Sequence, residues 1–502
     1  MAGPAGPAGP ADDRDLPEQV RVRRDKLDRL RAEGIDPYPP GFPRTTDIAP
    51  LRAGHAGLPP DARTGERVAV AGRVVLNRVT GKLIFATIRD GTGDIQVMLA
   101  LDAAGEEQLR RWKDYVDLGD HVGVEGEVIT SRRGELSVLA DRFELTGKAL
   151  RPLPEKWKGL ADPEARVRMR YLDLIVRPEA RSMVHQRAAV LRSVRATMDR
   201  LGYVEVETPM LQPLHGGAAA RPFATHLNAF DVGMYLRIAL ELHLKRVIVG
   251  GVERVYEVGR TFRNEGVDST HSPEFTMLEA YEAYGDYDTM ATVARTIVLD
   301  AATALGATVV PDGHGGEIDL SAPWRSVTLH EAVSGAVGEE LTIDTPVDRL
   351  RALADRHGVA LQPGWGHGEV LLELYEKLVE RTITTPTFVR DYPASVRPLA
   401  RPHRRDPRLV EAWDLVVAGV ELAPAYSELV DPDEQRRRLV AQSLLAAGGD
   451  QEAMALDEDF LRALEHGAPP IGGLGMGVDR LLMLLTGVGI RETILFPLVR
   501  PE

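Results

Sequence analysis

Residues 262–281 read FRNEGVDSTHSPEFTMLEAY. Arg263 and Glu265 stand before a polar turn, His271 lies within it, and Phe275 and Glu279 follow it. A surface hairpin can carry such charges for solubility alone. The same residue types also suit a site that holds a phosphate, a ring and an ammonium group at once. The guanidinium of Arg263 is a planar fork of donors matched to a phosphate and a carboxylate together. Phe275 offers a face on which an adenine ring can stack, and Glu265 can accept from an exocyclic amine.

Two further stretches carry compatible chemistry. GLGMGVDRLLMLLTG (473–487) reads as a glycine-rich turn entering an apolar helix, with Arg480 at the helix start. Placed above the ring that Phe275 supports, Arg480 makes a cation–π lid. A dinucleotide fold would need a strand–glycine–helix unit heading a βαβ repeat, with an acid about twenty residues on. Neither is present. In DLVVAGVELAPAYSELVDP (414–432), Asp414 and Glu421 supply hard oxygen ligands suited to Mg²⁺. Taken singly, each of these residues is as readily a surface ion pair; together they make a site.

The bulk numbers narrow the class. The chain has 502 residues, 44% hydrophobic and 27% charged, which suits a soluble globular protein of two or three domains. Cysteine is absent, so disulfides and thiolate-bound zinc are excluded, and a cytoplasmic setting is expected. No window reaches the ~18 apolar residues that span a bilayer. The net charge of −14 argues against a general nucleic-acid coat but not against an enzyme that acts on nucleic acid. MAGPAGPAGP reads as the start of a disordered tail over 1–14.

These residues need elements to position them. Residues 15–62 read as a basic helix, with Val20, Leu27 and Leu30 at helical spacing, followed by an extended linker opened by DPYPPGFP. That helix is either a solvated amphipathic face or a contact for an RNA backbone. Over 63–148 the period is two, giving about five strands with one short helix near 103–115, the pattern of an OB-type barrel. Such barrels commonly bind single-stranded nucleic acid. Phe85 is a barrel-core residue or a platform for a base, and Gln96 and Glu135 have polar edges for unpaired bases. A charged connector over 149–178 leads to a second domain, 179–502, with a long helix ending at Gly202. The strand YVEVETPML follows, and a helical insertion lies near 345–381. The fold class expected is α+β: the barrel plus an antiparallel sheet flanked by helices.

From about Leu16 onward the chain resembles class II lysyl-tRNA synthetases. The stretches that carry the resemblance are GYVEVETPM, GGAAARPF, MYLRIALELHLKR, FRNEGVDSTHSPEFTMLEAY, GLGMGVDRLLMLLTG and RETILFPLVRP. The N-terminal segment and the Gly419–Ala425 stretch look most like actinobacterial forms, including the synthetase part of lysyl-lipid synthase fusions. The resemblance implies that ATP and L-lysine form a lysyl-adenylate that then acylates lysine tRNA, with Arg263 and Arg480 catalytic and Mg²⁺ as cofactor. It implies that Arg263, Glu265, His271, Phe275, Glu421 and Arg480 contact ATP. Glu279 and Glu428 would take the ε-ammonium, Tyr281 and Tyr426 its aliphatic stem, and Gly216 and Glu241 the α-amino end, with Arg263 on the carboxylate. Arg78, Phe85, Gln96 and Glu135 would read the anticodon, and a homodimer is implied. One departure stands out: the family's Gly-Arg-Glu-x-Gly-Asn-Gly is here Gly419-Val420-Glu421-Leu422-Ala423-Pro424-Ala425. Proline has neither an N–H nor an amide side chain, so one hold on the amino acid's carboxylate is expected to be missing.

Overall fold

The structure is a computed structural model that describes residues 16–154, 160–447 and 454–500. The Pro/Gly/Ala tail lies outside the described residues. The chain divides into two compact units, 1–160 and 161–502.

In the first unit, helices α1 (Glu18–Ala32) and α2 (Ile48–Gly54) precede strands β1 (Arg63–Thr80), β2 (Leu83–Arg89) and β3 (Asp94–Ala100). Helix α3 (Leu101–Tyr115) and strands β4 (His121–Thr130) and β5 (Leu136–Gly147) complete it. The strands close into a barrel in the order β1-β2-β3-β5-β4. Period two explains the closure: Ile84, Ala86 and Ile88 on β2, and Ile95, Val97 and Leu99 on β3, are buried, while the residues between them are not. Trp112 of α3 is fully buried, with its ring edge-on to Phe143 at 4.8 Å and its Nε1 donating to Asn77 Oδ1 at 3.1 Å. The segment read as an extended linker contains α2, whose Ile48 and Leu51 enter the barrel core. Seven residues around Pro50 are too few to show a helical period. On α1, Arg23 joins the apolar stripe and donates to Ala149 O and Leu118 O, so that basic residue braces the barrel.

Inside this unit Lys148 is buried, its Nζ donating to Tyr115 O at 2.8 Å, Asp117 Oδ2 at 2.6 Å and Asp120 Oδ2 at 2.7 Å. Burial pushes the Asp120 carboxyl up, with Lys148 opposing it.

The second unit opens with α4 (Pro163–Arg168) and α5 (Arg170–Val176) inside the span read as a connector. Arg170, buried, ties them down by donating to Arg491 O and Leu495 O. Next come α6 (Pro178–Arg200), β6 (Val204–Glu205), a small sheet of β7 (Leu211–Gln212), β8 (Ala224–Leu227) and β9 (Val232–Leu236), then α7 (Glu241–Val249). The hairpin β10 (Arg254–Phe262) and β11 (Glu274–Ala283) precedes α8 (Tyr287–Leu305) and the short pair β12 (Val309–Pro311) and β13 (Glu317–Asp319). Strand β14 (Arg325–Thr328) leads into α9 (Leu329–Val337), α10 (Val347–Arg356) and α11 (His367–Leu378). The remainder is β15 (Thr387–Pro393), β16 (Leu409–Val417), β17 (Val420–Ser427), α12 (Pro432–Ala447), α13 (Glu458–Glu465), β18 (Ile471–Gly477), α14 (Val478–Thr486) and α15 (Ile490–Thr493).

Among the described residues the main sheet runs β14-β15-β16-β17-β18-β11-β10-β6, antiparallel except at its two edge pairings. Helices α6 and α8 cover one face through Val190, Val194, Met290 and Ile297, which pack on Leu278, Leu415 and Leu474. The span read as a strand after α6 pairs over only two residues. Beyond them Thr208 donates through its N–H and Oγ1 to Glu257 Oε2, at 3.0 and 2.7 Å, so side-chain bonds replace the ladder. The glycines at 473–477, read as a turn, lie in strand β18 between β11 and β17.

Lys148→Met removes the counter-charge of the fully buried Asp120. We expect a loss of about 3–5 kcal/mol, the usual cost of breaking a buried pair from one side. It should appear as a lower denaturation midpoint and as faster hydrogen exchange in the barrel strands. An unchanged midpoint would show that Asp120 is neutral without its partner.

Candidate active site

The face of the sheet away from α6 and α8 holds a cavity of about 410 Å³. Alternation selects its lining. On β11, Leu278 and Ala280 enter the helix-covered core, so Phe275, Met277, Glu279 and Tyr281 line the cavity. Glycine supplies the floor: Tyr281 and Tyr426 flank Gly473 from the neighbouring strands, and Glu279 lies opposite Gly475. A Cβ on Gly473 would come within 1.9 Å of Glu428 Oε1 and 2.6 Å of Tyr281 Cε1. The missing side chains of β18 are the space in which the pocket's own side chains stand.

The cavity wall brings together Glu241, Arg263, Glu265, His271, Phe275, Glu279, Tyr281, Asp414, Glu421, Tyr426, Glu428 and Arg480, scattered over 240 residues of sequence. Gly216 is not in that wall. Its neighbour Gly217 is, at φ +86°, and a Cβ on Gly216 would meet Leu242 at 2.9 Å.

One end is acidic. Glu279 accepts from the Leu240 N–H at 2.9 Å and the Tyr281 hydroxyl at 3.0 Å. Burial, reinforced by the charge of Glu241, pushes its carboxyl up to about 7. Glu241 and Glu428 both bond the ammonium of Lys245, each at 2.5 Å. Burial works against that ammonium, yet the two carboxylates outweigh it and hold the Lys245 pKa up to about 12. Burial also pushes Glu428 up, against the pull of Lys245. Three carboxylates therefore share this end with one ammonium of the protein itself.

The other end is basic. Arg263 is anchored only through Nε to Ile238 O at 3.3 Å and by its cation over the Phe275 ring at 5.3 Å. Its terminal nitrogens have no partner among the described residues. Arg263 is thus the cation on Phe275. Arg480 donates to Glu421 O at 2.8 Å and lies 3.3 Å from His271 Nε2, whose other ring nitrogen is held by Asp268. Behind them Asp479 accepts from Arg187 at 2.5 Å and from the Thr276 N–H at 2.7 Å, tying α6, β11 and α14 together.

Asp414 stands on β16 and Glu421 at the start of β17, so a hairpin rather than a single strand presents them. Asp414 Oδ2 accepts from Tyr392 at 2.7 Å and Arg397 at 2.6 Å, while Oδ1 is buried with no partner. Among the described residues no three His, Asp or Glu are placed to hold a metal together. Mg²⁺ commonly uses one or two carboxylates with substrate phosphates. The Asp414 oxygen left without a partner among the described residues, on the wall it shares with Glu421, fits that requirement.

In the barrel unit, Phe85 lies on the face of β2 opposite the buried Ile84 and Ala86, with Arg78 its register partner on β1. Gln96 shares that outer side and donates to Ser137 Oγ at 2.8 Å, and exposed Glu135 accepts from Arg52 at 3.3 Å. Phe85 is therefore outside the barrel core.

The chain's similarities agree with this geometry. Residues 162–500 match the family described as tRNA synthetases class II (D, K and N), and residues 68–146 match an OB-fold nucleic acid binding domain. A lysine–tRNA ligase of Mycolicibacterium gilvum is 56% identical over 97% of this chain and 98% of its own length. Lysine–tRNA ligase 1 of Mycobacterium tuberculosis H37Rv is 54% identical over 97% and 98%. The lysylphosphatidylglycerol biosynthesis bifunctional protein LysX of Nocardia farcinica is 53% identical over 97% of this chain but 43% of its own length. The chain belongs to the class II tRNA synthetases.

In this synthetase three features escaped the sequence reading. Lys245 follows Glu241 at i,i+4, a spacing usually read as a surface pair. Nothing local marks Arg397 in YPASVRPLARP, because its role comes from the fold bringing it to Asp414. Nothing local marks Arg187 on the long helix either, because its partner Asp479 is distant in sequence.

Gly473→Ala should fold but drive its methyl into Glu428 and Tyr281. We expect lysine-dependent pyrophosphate exchange to fall at least ten-fold, with the KM for ATP changed less than threefold. Retained exchange would mean that the acidic end is not used.

Proposed function

We propose that this chain is a lysine–tRNA ligase that serves translation. The carrying observation is the closed acidic end of the cavity: Glu279 and Glu428, fully buried, flanked by Tyr281 and Tyr426. An ε-ammonium fits between the carboxylates, since charge-assisted hydrogen bonds are the strongest available, and the two rings cover an aliphatic stem. Glu241, oriented by its pair with Lys245, faces the α-amino group beside Gly217.

A lysine held this way presents its carboxylate to Arg263. A carboxylate oxygen attacks the α-phosphorus of ATP, the bond to the bridging oxygen breaks, and pyrophosphate leaves. A terminal ribose hydroxyl of lysine tRNA then attacks the acyl carbon, and AMP leaves. Positioning and charge neutralisation carry the rate. Arg263 spans carboxylate and α-phosphate. Phe275 stacks on adenine with Arg480 as the lid above it, Glu265 accepts from its amine, and His271 meets the phosphates. Asp414 and Glu421 would hold Mg²⁺, which when bound neutralises phosphate charge.

In the barrel, Arg78, Phe85, Gln96 and Glu135 contact the anticodon. The chain forms a homodimer, supported by the exposed apolar residues Val204, Met210, Leu211, Leu214, Phe230 and Val232. It works in the cytoplasm; none of the described helices is long and apolar enough to cross a membrane. A second reading, supply of lysyl-tRNA to lipid modification or specialised metabolism, or use of a lysine analogue, draws on the likeness to LysX and on Pro424 in the cavity wall.

The deciding experiment is ATP–pyrophosphate exchange over a panel of amino acids, followed by charging of transcribed lysine tRNA. Lysine should be the preferred amino acid; preference for another overturns the proposal. Because burial pushes the Glu279 carboxyl up to about 7 and it must be ionised to face an ammonium, the lysine KM should fall as pH rises from 6 to 8. Glu279→Gln should abolish that slope, and a KM that rises over this range would refute the role. Phe85→Ala should weaken tRNA binding by ~1–3 kcal/mol while leaving exchange and the melting temperature unchanged. A lowered melting temperature instead would make Phe85 a structural residue.

A further inference from the structure

The cavity wall between the acidic end and Asp414 lacks donors. Asp414 lies opposite Pro424 on the neighbouring strand, and a Cβ on Gly475 would sit 3.8 Å from Pro424 Cγ and 3.9 Å from Glu279 Cγ. Glu279, Gly475, Pro424 and Asp414 thus form one row across four strands. Neither Gly475 nor Pro424 carries a side-chain donor, and Pro424 has no N–H. The row itself therefore offers a carboxylate no donor, and any hold on it must come from side chains elsewhere in the wall.

Arg397 reaches it. The side chain comes from the loop after β15, lines the same cavity, and is mostly buried, with 21% of it exposed. Asp414 Oδ2 fixes one terminal nitrogen at 2.6 Å, and the cation rests on the Tyr392 ring at 4.5 Å. Its Nε is buried with no partner, and its other terminal nitrogen has none among the described residues. A guanidinium held at one corner with open donors at the others is pre-organised for an anion, because little rotamer freedom remains to be lost.

We infer that Arg397 is a substrate-positioning residue that holds the carboxylate of the amino acid over the Pro424–Gly475 wall. The inference rests on the proposed use of lysine. On this reading the hold that proline cannot supply from within the strand is supplied across the cavity. Arg397 thereby shares the carboxylate with Arg263, which also faces the phosphate.

The test compares L-lysine with L-lysinamide, which keeps both amino groups and lacks the carboxylate charge. Arg397→Lys retains a cation beside Asp414 but loses the planar fork. Its KM for lysine in pyrophosphate exchange should rise about ten-fold or more, while the Ki of lysinamide as a competitor and the KM for ATP each move less than threefold. Adding Pro424→Asn to that variant places an amide donor in the wall and should recover most of the lysine KM. Pro424→Asn alone, with Arg397 intact, should lower that KM by a smaller factor than it does in the Arg397→Lys background, and an equal factor in both overturns the inference. If lysine and lysinamide weaken together, Arg397 is a structural residue and the inference falls. If the KM for ATP moves instead, its anion is a phosphate and the inference falls. Absence of lysine-dependent exchange in the parent protein would overturn the lysine reading itself, a distinct failure measured first.

Discussion

The ammonium of Lys245 between Glu241 and Glu428 is the interaction on which the pocket depends. An unpaired buried carboxylate costs several kcal/mol, so it either finds a counter-charge or takes up a proton. Here three carboxylates crowd one end of a cavity, and Lys245 neutralises only part of that charge. Glu279, bonded to an N–H and a hydroxyl rather than a cation, carries the remaining imbalance as a raised pKa. The protein's own groups thus leave the pocket short of positive charge at one defined place. A cationic side chain repairs the imbalance, whereas a neutral isostere leaves a protonated acid and an unused bond. Selectivity for an ammonium is built into the resting state.

That arrangement constrains the sheet beneath it. Two tyrosines, two glutamates and a substrate cannot stand on adjacent central strands unless one strand gives up its side chains. β18 does so on its cavity side while its other face carries Leu474 and Met476 into the helix-packed core. The glycines weaken the strand's own propensity. Ladders on both sides, to β11 and β17, compensate by fixing the backbone. Asp479 then starts α14 by accepting from the β11 backbone, so the strand that makes room for one end of the substrate is continuous with the helix that positions Arg480 for the other.

Local pattern made much of this legible. The barrel strands alternate, α3 lies where the period breaks, and the β10–β11 hairpin could be read from its charges. What could not be read is what depends on partners distant in sequence. The glycine strand alternates Leu474 and Met476 with glycines, but glycine has no polar side chain to mark the cavity face, so the run looks like a turn until β11 and β17 flank it. Arg23 and Lys245 sit on helices in patterns that normally face solvent, and only the docked carbonyls and carboxylates turn them inward. Arg397 has no local signal at all; its anchor Asp414 is on another strand and Tyr392 stacks from its own.

The choice of cation at each end follows from geometry. An ammonium is a compact point charge with donors in all directions, and Lys245 spends it on two carboxylates at once. Guanidinium groups present edges. Arg263 is secured at Nε and by its face, and Arg397 at one terminal nitrogen and by its face, so both keep unspent edges beside the cavity. The acidic end is therefore only partly neutralised by Lys245, and the basic end keeps guanidinium edges without an anion. A dibasic amino acid entering this cavity has one favourable orientation: reversing it would set its carboxylate against Glu279 and Glu428 and leave two guanidinium edges without an anion. Orientation is decided by which protein charges are already paired, before any phosphate or metal contributes.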